Sequence, residues 1–517
     1  MSRIRVLPRS NNHSLRVLGV AAAFLMAVSW PAGAQESDPS ADPFSFSFDE
    51  DELFGGEEMI TVTETADAPD PLADIETTET LAIGGSFSGS LDSDWQWNDP
   101  WSNPPLAGLP GSLEPDSYDL SPALTASLFF DARPTDTTRF YGSAKSTWPF
   151  EETKSFLTEA EYKDDIDPFT LPAEPGVATK SAATNELNIQ IFELFSDFNW
   201  DDKVFFRFGK QTITWGVGYF FSPADVLNIQ AIDPEDPTEQ REGPVSIRAH
   251  YPIPGSQNNL WAYAVFDDPD MKPEDTALAA KAEFVLGPWE LGVGGWYRYD
   301  SPLRGMLTAS GSIGQVSLFG EASLSLGSER KWVQDVSALQ PGFASYREDD
   351  TSLFFKGSAG FMYANDDLKL GLTGQYLFDA EGYANGDREN LITDARANET
   401  AIKLALSMIP DIDDVNAAFS GFVKGLILNS GRHYAAASLG RTELFTEDLS
   451  LNVFVMANLS DFSGFARPGL TYQLFDGASL GLSTLFVFGP EDSEYIVLND
   501  GPAVGITVSS TLGSGRF

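Results

Sequence analysis

From residue 80 onward the chain is a succession of short segments in which apolar and polar residues alternate, and none contains an apolar run long enough to cross a bilayer as a helix. A side chain on every second position faces the same way in a strand, so this period of two prescribes half-buried β-structure throughout. The segment Trp289 to Tyr299 gives the grammar. Trp289, Leu291, Val293, Gly295, Tyr297 and Tyr299 fall on one face, while Glu290, Gly292, Gly294, Trp296 and Arg298 fall on the other. Its partner puts Leu278, Ala280, Ala282, Phe284 and Leu286 outward and Lys281 and Glu283 inward, with Gly287-Pro288 as the tight turn. Leu368 to Phe378 and Leu480 to Phe488 repeat the pattern.

An apolar face with aromatic rims on nearly every strand is what a closed cylinder in a membrane presents to lipid. The fold expected is therefore all-β: a transmembrane antiparallel up-and-down β-barrel of about twenty strands, within 18 to 22. A soluble β-sandwich shares the period but not the aromatic-rimmed outer face. Strands are expected near 80–91, 121–132, 138–148, 185–199, 203–214, 243–253, 259–267, 276–286, 289–299 and 303–313. The remainder are expected near 315–327, 351–364, 367–379, 398–409, 413–428, 433–444, 449–458, 464–475, 478–488 and 502–517. Tight turns such as Asn199 to Asp202, Pro254 to Gln257, Asn365 to Asp367, Asp411 to Asp414 and Asp476-Gly477 alternate with long polar loops. The short connections are expected on the periplasmic side and the long ones outside, with both termini periplasmic.

Three domains follow. Residues 1–34 read as a cleaved export signal, with Arg3, Arg5, Arg9 and Arg16 before the apolar Val17 to Val28 and small residues at Ala32-Gly33-Ala34. Residues 35–79 hold fifteen Asp or Glu and no Lys or Arg, which reads as a disordered acidic periplasmic segment. Residues 80–517 form the barrel. The formal net charge is −44, of which the tail carries −15 and the signal +4, leaving −33 on the barrel. Mean hydropathy is −0.16, because only alternate side chains meet lipid. No cysteine is present, so export brings no disulfide chemistry.

Alternation sends Lys145, Arg207, Arg248, Lys281, Arg298, Lys356, Lys369, Lys403, Lys424 and Arg467 inward as a pore-lining basic wall. The clear inward carboxylates are fewer: Asp131, Glu283 and Glu321. After the fifth strand comes Phe208-Gly209-Lys210-Gln211, then Trp215-Gly216-Val217-Gly218-Tyr219-Phe220-Phe221-Ser222-Pro223-Ala224-Asp225-Val226-Leu227-Asn228. The glycines permit sharp turns, and Ser222, Pro223 and Asp225 are placed to start a short helix. Folded inward, a loop near 215–242 brings Asp225, Asp233, Glu235, Asp236 and Glu239 towards the basic wall, and the opposed charges set up a transverse field.

Trp215, Gly216, Gly218, Pro223, Asp225 and Asn228 carry a resemblance: the segment is similar to a "GKQ…WG.G.FF.P.D..N" pattern of poorly characterised outer-membrane barrel families. The terminal Phe517 resembles the aromatic by which barrel assembly machinery recognises its clients, although Val504, Ile506, Val508 and Leu512 lie on the opposite parity and a bulge among the last glycines is needed to restore phase. The chain thus resembles the Gram-negative outer-membrane β-barrels of porin-like type. That resemblance implies the cell outer membrane, contact with its lipid and lipopolysaccharide, and passive diffusion of small polar or charged solutes.

Two alternatives differ in mechanism. Glu58 to Glu64 looks like the energy-coupling box of TonB-dependent transporters, but residues 65 to 79 leave no room for a plug. The repeated Phe and acidic residues between Phe44 and Glu79 suit a tether that folds on a periplasmic partner. No catalytic residue is expected. After signal removal only His250 and His433 remain, and neither has a nucleophile motif beside it. No cofactor or metal is expected, and the acidic charge opposes nucleic-acid binding.

Overall fold

The structure, a computed structural model, describes residues 81–98, 115–154, 180–184, 187–228, 232–266, 273–408 and 414–516. The export signal, the acidic segment with its box and tether, and Phe517 lie outside the described residues.

Eighteen strands close into one antiparallel cylinder. They are β1 (Leu81–Asn98), β2 (Ser117–Thr135), β3 (Thr138–Trp148), β6 (Gln190–Trp200), β7 (Val204–Lys210), β8 (Val245–Pro252), β9 (Asn259–Phe266), β10 (Thr276–Leu286) and β11 (Trp289–Tyr297). The round continues with β12 (Leu303–Ile313), β13 (Val316–Val336), β14 (Ala344–Asn365), β15 (Leu370–Asp379), β16 (His433–Arg441), β17 (Leu449–Asn458), β18 (Ser463–Phe475), β19 (Ala478–Phe488) and β20 (Ala503–Arg516). Each pairs with its neighbours in chain order, and β1 pairs with both β2 and β20. A separate hairpin, β4 (Phe150–Lys154) and β5 (Lys180–Thr184), stands between β3 and β6. Closure leaves no edge, which is the condition for a sheet in hydrocarbon.

The outer face follows the alternation. Leu278, Leu286, Leu291, Val293, Leu303, Leu307 and Leu326 point away from the lumen and are exposed. Residues between them on the same strands, among them Ala277, Ala279, Trp296 and Met306, face inward and are buried. β1 and β20 meet across an irregularity: Ser88 pairs with Ser514 and Ser90 with Thr511, so β20 carries an extra residue there. Gly513, at φ 137°, takes the conformation that other residues resist, and Gly515 comes opposite the outward Phe87.

Two segments expected as strands are helices. Residues 398–409 contain α2 (Glu399–Leu406) and 413–428 contain α3 (Val415–Ile427), following α1 (Asn385–Ala397) in the β15–β16 connection. Asp414 caps α3, accepting the Asn416 and Ala417 amides at 2.9 and 3.0 Å. Ile402, Leu406, Phe419, Val423, Leu426 and Ile427 bury a helical face against Trp332, Val336 and Phe343, beyond the end of the lipid-facing strands. A short α4 (Glu494–Leu498) sits in the β19–β20 connection at the same end.

Candidate functional site: a loop across the lumen

The loop from Gln211 to Pro244 leaves β7 and runs into the barrel. Its entry is stapled by Asn228, whose side chain accepts the Ile213 amide at 2.9 Å and donates to the Ile213 carbonyl at 2.5 Å. Between these residues the chain makes an inward excursion whose backbone amides converge on two wall side chains. Val217 and Gly218 donate to Glu321 Oε2 at 2.8 and 3.2 Å, and Ala224 donates to Oε1 at 3.3 Å. Tyr219, Phe220 and Phe221 all donate to Gln375 Oε1, at 3.1, 2.7 and 3.1 Å. Gln375 Nε2 returns bonds to the Phe221 carbonyl at 2.6 Å and the Ser358 hydroxyl at 2.9 Å. On the other flank Lys281 Nζ donates to the Trp215 carbonyl at 2.9 Å. Glu321, Ser358, Gln375 and Lys281 belong to β13, β14, β15 and β10, so the loop reaches the wall facing the strand it left.

Each motif residue has a task there. Trp215 fills a cluster with Tyr263, Ala279 and Trp296, while Tyr219 and Phe220 join Phe319, Met362, Phe454 and Phe465. Gly216 is tight because a Cβ would meet the Ser222 hydroxyl and the Glu321 carboxylate, and at Gly218 a Cβ would meet the Phe221 carbonyl. Pro223 and Asp225 form a single turn closed by the Asp225 amide on the Ser222 carbonyl at 3.0 Å, rather than the start of a helix. Asp225 is also withdrawn from the wall: it accepts from Arg241 at 2.6 Å and from Asn228, inside the loop itself.

The returning limb does touch wall cations. Glu235 pairs with Arg467 of β18 at 2.9 Å, and Glu239 stands 4.0 Å from Lys145 of β3. Asp233 accepts the Glu235 amide and Asp236 the Thr238 hydroxyl, so both act within the limb.

The expected basic wall is corrected in two respects. Lys403 and Lys424 are on α2 and α3, paired with Glu399 at 2.5 Å and Asp500 at 2.7 Å, because their segments are helices outside the sheet. Lys369 lies in the β14–β15 turn with φ 51°, 3.6 Å from Glu443. Arg298, just past β11 and 3.6 Å from Glu329, keeps to the inner side, lining a cavity with Trp296, Leu227 and Asn228. The cations on inward strand positions are matched: Arg207 with Asp197 at 2.6 Å, Lys281 with Glu283 at 2.7 Å, and Lys356 with Asp379 at 3.2 Å and Glu381 at 2.5 Å. Arg248 lies over the Trp261 ring, 5.3 Å from its centroid. Asp131 accepts from Arg139 and Arg133 at 3.0 and 3.3 Å. Asp197, Asp379 and Glu381 were missed. Asp197 and Asp379 lie on the inward parity of their own strands and carried the same signal as the cations they face, whereas Glu381, past the end of β15, had no parity to read. Gln375 was missed too, though as a polar residue on the inward parity of an apolar strand it carried a signal.

No family model matches the chain, and no curated protein matches it. Among solved structures it is similar to OccAB1 of Acinetobacter baumannii, at 10% identity over 84% of this chain and 97% of that one, with a TM-score of 0.43. OccK8 (OprE) of Pseudomonas aeruginosa gives 9% identity over 84% and 98%, with a TM-score of 0.42. A loop-deletion mutant of OmpT, an outer membrane protein of Vibrio cholerae, gives 9% over 84% and 100%, with a TM-score of 0.34.

Proposed function

We propose that this chain is a porin-like channel of the cell outer membrane for passive diffusion of small polar and charged solutes, with the loop 211–244 as its constriction. The observation that carries this reading is the loop itself: it crosses the lumen, fastens to Glu321 and Gln375 on the far wall, and returns by way of Arg467 and Lys145. A loop folded into a wide cylinder narrows it without closing it, and side chains at the narrowing set which solutes pass. The apolar Val17 to Val28 behind four arginines supports export to that membrane.

The purified protein in planar bilayers is expected to give stepwise conductance, larger when residues 214–240 are replaced by a short Gly-Ser linker. A folded barrel that stays silent at high protein load would overturn the reading. Deleting residues 35–79 separates the rivals: loss of uptake with conductance intact favours an energised transporter, whereas altered envelope integrity with conductance intact favours a tether.

A further inference from the structure

The lumen is filled on one side only. From β9 to β17 the inward side chains at mid-barrel are covered: Tyr263 is 7% exposed, Met306 2%, Glu321 5% and Gln375 4%. What covers them is Trp215, Tyr219, Phe220 and the rest of the inward excursion. On β20, β1 and β2, apart from Phe129 and the buried Ala503 at the end of β20, the inward positions differ in both chemistry and cover. Ser90, Asp92, Asp94, Ser127, Thr507 and Ser509 are small or polar, and all remain partly exposed. Their orientation is fixed by the Thr507 hydroxyl donating to Asp94 at 2.5 Å, while Ile83, Phe87 and Leu128 take the opposite, lipid-facing side. The returning limb of the loop borders this sector. Glu235 on Arg467 and Glu239 near Lys145 mark β18 and β3, and β19, β20, β1 and β2 lie between them.

We propose that permeation runs along this seam, where the first and last strands meet, and that the seam favours cations over anions. The proposal rests on the channel reading above and gives it a path and a solute class. Hydroxyls exchange for water of hydration at low cost, and carboxylates in a confined passage raise the local concentration of cations. The bordering cations do not oppose this, because Lys145 and Arg467 each face a loop carboxylate and Arg133 and Arg139 share Asp131. Asp94 is met by a hydroxyl, and Asp92 is two residues away on the same face.

Having no cysteine, the protein gives single-cysteine variants without background. Ser90→Cys, Ser127→Cys and Ser509→Cys are tested in planar bilayers with a cationic methanethiosulfonate, alongside Ser325→Cys and Thr373→Cys, whose parent residues are 9% and 0% exposed on the filled side. The seam variants are expected to lose at least half their conductance and the other two to keep theirs. In a KCl gradient the reversal potential of the parent is expected on the cation side, and that of Asp92→Asn/Asp94→Asn shifted towards zero. A conducting protein whose seam thiols leave the current unchanged, or whose reversal potential lies on the anion side, overturns the seam path while the channel reading stands. A folded protein that passes no current overturns both.

Discussion

Gln375 gathers three consecutive loop amides on one carbonyl oxygen and returns its amide to the carbonyl of the last residue in that run. Replacing it by leucine keeps the volume and leaves those buried groups without partners, each costing about 1–3 kcal/mol. The barrel does not depend on these bonds, so the cost falls on the loop. Gln375→Leu is therefore expected to raise single-channel conductance and open-channel noise while the folded barrel keeps its gel mobility. A current trace identical to the parent's would count against the anchoring role. The carboxylate of Glu321 does the same for Val217, Gly218 and Ala224, and the glycines beside it leave room for the approach.

At the scale of elements, the helical cap at the long-loop end is pinned by a buried polar knot. Arg388 of α1 pairs with Asp461 at 2.5 Å, both nearly inaccessible, and Asp461 also accepts the Glu494 amide at 2.8 Å. The Glu494 carboxylate accepts from the Asn429 amide at 2.6 Å, the Tyr434 hydroxyl at 2.8 Å and the Asn458 amide at 2.6 Å. Burial pushes this carboxyl up to about 7; the Tyr434, Asn458 and Asn429 donors hold it down and the nearby Asp461 adds to the rise. Between its ordinary value of 4.5 and about 7 the folded cap holds a proton that the unfolded chain has lost. Cap stability therefore falls as pH rises through that window, by up to about 3 kcal/mol, and levels off above it. Hydrogen-exchange protection of α3, corrected for intrinsic rates, is expected to be lower at pH 8 than at pH 5. Equal protection at the two pH values would exclude the linkage. The strands of the cylinder were legible because their period is long and clean, as from Trp289 to Tyr297. Those of α2 and α3 were misread because Ile402 with Leu406, and Phe419 with Val423, satisfy both a strand's and a helix's spacing over so short a run. Asp414 as a cap and Glu399 four residues before Lys403 were the helix signals available. The loop's inward course was legible in its glycines and in Glu235 and Glu239, and Glu321 was legible as an inward carboxylate, but the bonds that anchor the loop were not, since they join positions 66 to 156 residues apart.

On the scale of the whole molecule, closure depends on β1 meeting β20 in register on both sides of the Gly513 bulge. Leu91 and Ser510 are direct partners, so the double variant Leu91→Cys/Ser510→Cys is expected to form an intramolecular disulfide under mild oxidation. Failure to cross-link in a folded sample would disprove the closure register. The same juncture has a bearing on biogenesis. Nearly all of the interior packing is contributed by residues between Ile213 and Val487, so a half-inserted chain that still awaits its final strand already owns its dry interior. On the seam path proposed above, the pairing of β1 with β20 that closes the cylinder is also what completes the wall of the conduit.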